Sequence, residues 1–241
     1  MRSQEFKYRK LISAKGLVRS AVIEKESDLL ILAEKALTGP AHETLINVRK
    51  ELQEYIEKNP KFVKTFRPYT VSLFAPGIIR LMSWAAKRAN VGPMAAVAGA
   101  IAETVGKSLI KHSKDVIVEN GGDIFIKVSK PRRIGIYAGK SPFSEKIAIE
   151  ISPHDTPLGI CTSAGTVGHS VSFGTADAVL VTARSCALAD AAATAIGNVV
   201  NSEETIEEGL NIAKKIKGLH GVLIIKNEVM GAWGTLKIVS I

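Results

Sequence analysis

Residues 116–128 most constrain the fold. Two short apolar runs, 116–119 and 124–128, flank Asn120-Gly121-Gly122-Asp123. Two glycines between such runs define a tight antiparallel hairpin. Further strand-like runs follow at 133–138, 146–152, 159–162 and 178–183. Residues 186–200 and 203–217 then read as helices, and 222–226 and 235–240 as closing strands.

The first half has a different rhythm. Residues 6–13 and 16–25 alternate like antiparallel strands, and 28–33 reads as a third. Gly39-Pro40 punctuates the chain. Residues 41–58 follow as a helix with Leu45, Val48, Leu52, Tyr55 and Ile56 on one face. Pro60 ends it, and helices are expected from Pro76-Gly77 to about Asn90 and over 94–112. Strands, helices, strands, helices, strands, with no strict βαβ repeat, make an α+β fold with a mixed or antiparallel sheet. No linker and no internal repeat divides the chain, so 1–241 reads as one domain.

Composition supports a sizeable core: 46% of residues are hydrophobic and 23% charged. No apolar run approaches the roughly 18 residues of a membrane span, so no membrane partner is expected. Neither a signal segment nor a lipobox is visible near Met1, which points to a cytoplasmic protein. Cys161 and Cys186 lack zinc or CxxC spacing, and a structural disulfide is not expected in a reducing compartment. The net charge is +9, and residues 1–88 carry 17 basic against 9 acidic side chains. A solvated basic face ranks first for that excess. A docking surface for an anionic ligand or acidic partner ranks next, and nucleic acid last, because no aromatic platform or finger spacing accompanies it.

Three segments are candidates for chemistry. In Ala189-Asp190-Ala191-Ala192-Ala193-Thr194-Ala195, Asp190 and Thr194 share a helical face and make a half-site for a hard cation. The plain alternative is a capping aspartate and a packed threonine. Gly121 and Gly122 allow close backbone approach to a ligand, or simply form the turn. Thr162-Ser163-Ala164-Gly165, with His169 downstream, is a hydroxyl- and glycine-rich loop that suits phosphates. His169 is the acid–base candidate, or an exposed loop histidine.

Taken in order, these segments resemble the ApbE family, the FAD:protein FMN transferases. That family shows an Ala-Gly-Gly-Asp-Ile hairpin, a Thr-Ser-Gly loop with a downstream histidine, and an Ala-Asp-x-x-Ala-Thr-Ala helix. A weaker likeness joins Val97-Ala98-Gly99 through Glu103 to the family's Ala-Lys-Gly-x-x-x-Asp segment. The resemblance covers roughly residues 90–200. It implies a single ApbE-like (T-fold-like) domain with Mg²⁺ at Asp190, Thr194 and the Ala193 carbonyl. It implies FAD beside Gly99, Glu103, Asn120, Gly121, Gly122, Asp123, Thr162 and Ser163, and His169 as the catalytic side chain. Implied activities are FMN transfer to an acceptor protein or FAD hydrolysis.

The chain departs from the family at three places: Ala98 replaces its lysine, the loop after His169 lacks its Asp-Pro, and Glu119 stands where its asparagine precedes the hairpin. These departures resemble a shorter cytoplasmic branch found largely in anaerobes, for which a link to sulfur assimilation has been suggested. The alternative function is a non-catalytic flavin- or nucleotide-binding accessory protein, with a sulfur-metabolism protein as partner. The sequence leaves a homo-oligomer open.

Overall fold

The computed structural model describes residues 8–163 and 174–241. The chain opens with a 3-10 turn, Tyr8–Leu11. Strands β1 (Val18–Glu24) and β2 (Ser27–Ala33) form a hairpin. Helices α1 (Thr38–Lys58), α2 (Pro60–Lys64) and α3 (Gly77–Ala89) come next, then a 3-10 turn at Pro93–Ala96 and α4 (Val97–Leu109). Strands β3 (Val116–Asn120), β4 (Asp123–Lys127), β5 (Arg132–Gly135), β6 (Ile147–Ile151), β7 (Leu158–Ser163) and β8 (Ala178–Ala183) follow. Helices α5 (Cys186–Gly197) and α6 (Ile206–Lys215) precede β9 (Leu219–Lys226), β10 (Val229–Gly234) and β11 (Ile238–Ser240).

Eight strands build one sheet in the order β1-β2-β3-β4-β7-β8-β9-β10, and β11-β6-β5 build a second. Every pairing between these strands is antiparallel. The inner strands of the large sheet are buried on both faces, and their period-two alternation separates two cores. Leu29, Ile31, Val116, Val118, Phe125, Val179, Val222 and Ile224 pack with the helices. Leu30, Leu32, Ile117, Ile124, Ile126, Leu180, Leu223 and Ile225 pack on the other side with Ile134, Ile149 and Ile151 of the small sheet. The molecule is therefore three layers: helices, large sheet, small sheet.

Helix α1 buries Ala41, Leu45, Val48 and Leu52, a spacing of three or four residues that gives one apolar stripe. It begins at Thr38, so Gly39-Pro40 lies inside its first turn, where a proline costs no intrahelical hydrogen bond. Helix α3 ends on Asn90 in the left-handed region, φ 56°.

The expected strand at 6–13 is corrected. From Tyr8 the chain turns, and among the described residues of that segment only Ile12 forms a bridge, to Ile134. Arg9 is drawn instead into ion pairs with Glu119 and Asp28. The expected strand at 235–240 shrinks to β11, and β10 was not foreseen. As an edge strand it has largely exposed side chains and two glycines, so it carries no apolar alternation to read. Among the described residues, no helix is long and apolar enough to cross a membrane.

Candidate nucleotide and metal site

The β3–β4 turn, the N-terminal end of α4 and the first turns of α5 meet at one place. Strand alternation puts Asn120 on the helix side, in step with Val116 and Val118. Its Nδ2 donates to the Ala98 carbonyl at 3.1 Å, tying the turn to the start of α4. Gly121 and Gly122 take φ of 64° and 103°, values that L side chains resist. Glu119, on the opposite face of β3, accepts the Gly122 N–H at 2.8 Å. Arg9 Nε closes on the other oxygen of Glu119 at 2.5 Å.

Asp123 opens β4 and pairs in register with Cys161 of β7. It is buried, and burial pushes its carboxyl well above the usual range; the charges of Asp190 and Glu119 push the same way, against a hydrogen bond from Cys161. Asp190 lies on α5, and its Oδ2 accepts the Gly99 N–H at 2.9 Å. Burial pushes its carboxyl up to about 7, despite stabilising backbone N–H groups at Gly99 and Ala98. Asp123 thus lies within the charge of Asp190, whose own carboxyl sits at the positive end of α4. Near neutral pH such a pair holds a proton or accepts a cation.

Thr194 follows one helical turn after Asp190 and is 9% exposed. Ala191, Ala192 and Ala193 between them are buried, which lets α5 lie close to the sheet. A Cβ on Gly159 of β7 would sit 2.3 Å from the Cys186 Cα. A Cβ on Gly99 would sit 2.5 Å from the Cys186 carbonyl oxygen, so α4 and α5 also need glycine where they cross.

Glu103, on α4, is hydrogen-bonded to the start of α5. Its Oε2 accepts the Ser185 hydroxyl at 2.7 Å and the Ala187 N–H at 3.3 Å, and its Oε1 pairs with Lys107 at 2.6 Å. Both oxygens are engaged within the protein, at the N-terminus of α5. Thr162 follows Leu158 and Ile160 in alternation and so lies on the small-sheet face. Ser163 shares the helix-side face with Cys161 and is 7% exposed; its hydroxyl has no partner among the described residues. His169 lies outside the described residues.

Cys161 and Cys186 are free, fully buried and 3.5 Å apart at sulfur. Burial holds the Cys161 thiol well above its ordinary range and raises Cys186 to about 11. Among the described residues, no group of three or more His, Cys, Asp or Glu side chains is placed to hold a metal. A groove of about 320 Å³ runs between the ends of α3, α5 and α6, lined by Arg88, Asn90, Ala195, Asn198 and Lys215 among others. It borders Thr194 along the chain but takes in neither aspartate.

What sequence reading missed is the Arg9–Glu119–Gly122 chain. Its first link spans 110 positions, and no local pattern signals it.

A family model described as AbpE bacteria matches residues 9–218. The UPF0280 protein of Methanocaldococcus jannaschii is 43% identical over 224 residues, covering 90% of this chain and 91% of that one. The UPF0280 protein of Methanosarcina acetivorans is 39% identical over 228 residues, covering 92% and 90%. Among solved structures, the flavin transferase ApbE from Vibrio cholerae superposes with a TM-score of 0.59 at 15% identity, over 92% of this chain and 97% of that one. The apo flavinyl transferase ApbE of Pseudomonas stutzeri gives 0.56 at 12%, over 92% and 94%. These structures share the fold: helices on a large antiparallel sheet. With the family model covering most of its length, the chain belongs to the AbpE bacteria family, an ApbE-like family.

Proposed function

We propose that the chain binds a flavin dinucleotide together with Mg²⁺ where α4, α5 and the Gly121–Gly122 turn meet, and splits the dinucleotide or transfers its FMN part. The observation that carries this reading is the Asp123–Asp190 pair, two carboxyls both raised by burial, with the charge of Asp190 adding to the rise at Asp123. Mg²⁺ takes one or two carboxylates and leaves positions for phosphate, so this pair with the Thr194 hydroxyl suits it without a third acidic ligand. When bound, the cation would supply Lewis-acid polarisation of a pyrophosphate.

The chain's own groups have definite tasks in this reading. Gly121 and Gly122 present backbone without side chains, and Asn120 fixes that turn against α4. The α4 N-terminus favours negative charge. Asp190 holds a proton at its carboxyl near neutral pH and releases it when a cation arrives. The superposing ApbE proteins of Vibrio cholerae and Pseudomonas stutzeri are flavin transferases, which supports the same choice of ligand.

Incubation with FAD and MgCl₂, followed by chromatography for AMP, tests the proposal. AMP should appear with the native chain and fall to background in Asp190→Asn, a variant that keeps an acceptor for Gly99. Equal AMP from both rules out a role for Asp190.

One observation favours a second reading, binding without turnover. Ala98 offers only a methyl group where the resembling family has lysine, and its carbonyl is engaged by Asn120. A rise in thermal midpoint with FAD, without AMP release, would select it.

A further inference from the structure

From Lys58 to Ala102 the chain has no acidic side chain, while Lys58, Lys61, Lys64, Arg67, Arg80, Lys87 and Arg88 are all basic. Within this stretch, residues 65–76 connect α2 to α3 and carry exposed apolar side chains. Phe66 is 68% exposed, Leu73 83% and Phe74 98%. Lys61, Lys64, Arg67 and Arg80 around them are exposed as well.

The connection is held at its base. The Ser83 hydroxyl donates to the Tyr69 carbonyl at 2.6 Å, and the Tyr69 ring meets Phe62 edge-on at 5.7 Å. Thr65 packs so tightly on Gly92 that a Cβ there would sit 2.0 Å from the Thr65 carbonyl oxygen. Ser72 closes the tip, accepting the Phe74 N–H on its hydroxyl at 3.2 Å and the Ala75 N–H on its carbonyl at 3.1 Å. Ala75 is buried directly behind Phe74. Two apolar side chains are therefore presented outward by a fixed loop.

We propose that the Leu73–Phe74 tip and its basic surround dock on an anionic lipid bilayer. A side chain 98% exposed stands out as a point and lines no groove. A folded partner would need a pocket shaped to receive it, whereas the acyl boundary of a bilayer accepts any apolar point. The basic, acid-free stretch that carries the tip complements anionic headgroups, each nearby Lys or Arg strengthening attachment about fivefold. The contact is peripheral. It sets aside the expectation of no membrane partner, which rested only on the lack of a spanning segment, and it stands independently of the flavin reading.

Sedimentation of the full chain with vesicles tests it. Phosphatidylcholine vesicles containing about one-third phosphatidylglycerol should pellet the protein, with loss of binding as salt rises. Pure phosphatidylcholine should not. Leu73→Ser with Phe74→Ser should weaken binding roughly tenfold or more, at an unchanged thermal midpoint because both side chains are exposed. Lys61→Glu with Lys64→Glu should weaken it as strongly. Native protein left in the supernatant by the anionic vesicles overturns the proposal, as does a tip variant that pellets like the native chain. Without pelleting, tip-dependent dimerisation in gel filtration or tip-dependent binding of a labelled single-stranded oligonucleotide also overturns it, assigning the tip to a second copy or to nucleic acid.

Discussion

The carboxylate of Asp190 accepts the backbone N–H of Gly99 at 2.9 Å, across the crossing of α5 and α4. Glu103 returns the arrangement, rising from α4 to accept Ser185 and Ala187 at the start of α5. Each helix thus supplies an acid to the other's N-terminus, where the orphan N–H groups and the helix dipole favour negative charge. Gly99 permits the crossing, since a Cβ there would meet Asp190 Cβ at 2.8 Å. The carboxylate proposed to hold a cation is therefore also part of the packing between two helices.

This sets a pH dependence. The Asp190 pKa rises from 3.8 to about 7 in the folded chain. Its folded pKa lies above the unfolded one, so its contribution is full below pH 4 and is lost as pH rises through about 7. Asp190→Asn removes the charge and keeps an oxygen for Gly99. The variant should be more stable than the native chain by on the order of 1–3 kcal/mol at pH 8, with the gap closing toward pH 4. Urea titrations of both proteins at pH 5 and 8 check this; a gap that widens at low pH contradicts it.

Magnesium should narrow the same gap. Cation binding favours the ionised pair, so added MgCl₂ should raise the native thermal midpoint more at pH 8 than at pH 6, and leave Asp190→Asn little changed. Differential scanning fluorimetry across a MgCl₂ series reads this directly. Equal shifts in the two proteins would place the cation elsewhere.

Glu103→Ala should destabilise the fold by about 2–3 kcal/mol, since the Ala187 N–H and Ser185 hydroxyl lose their acceptor at the α5 N-terminus. Glu103→Gln keeps one acceptor and should recover part of the loss. Chemical denaturation measures both. If the alanine variant matches the native chain, the reciprocal capping contributes nothing.

Removing Arg9 takes an ion-pair partner from a buried acid. The Glu119 side chain is 0% exposed and pairs with Arg9, which also donates to the Asp28 side chain and carbonyl. Arg9→Ala should cost about 3–5 kcal/mol. Adding Glu119→Gln should recover part of this while leaving an acceptor for Gly122. Hydrogen exchange at the Gly122 amide should accelerate in the single variant, because that N–H hangs on the same carboxylate. Unchanged exchange would detach the turn from Arg9.

The Cys161 and Cys186 thiols should resist modification. Both are fully buried and raised in pKa, which leaves little thiolate at pH 8. Ellman's reagent should react slowly with the native chain and quickly with two thiols in denaturant. Rapid native reaction would show that the β7–α5 contact opens readily.

Much of the fold was legible because its signals are local. The hairpin about Gly121–Gly122, the stripe Leu45–Val48–Leu52 and the Ala-rich α5 each carry their own periodicity. Legibility failed where the environment decides. Basic, alternating residues before Ile12 resemble a strand until Arg9 finds a buried acid, and β10 is held at the sheet edge by its neighbour β9 with little burial of its own.

For the candidate site, the sequence alone determined which residue types were available, and that Asp190 and Thr194 share a face of α5, because helical spacing follows from chain order. Tertiary structure alone decided that Asp190 reaches Gly99, 91 positions away, that Asp123 lies within its charge, and that Glu103 caps α5. The reason is physical. Hydrogen bonds and desolvation depend on distance in space, and only the packing of α4 and α5 against the large sheet brings these groups together and removes their water.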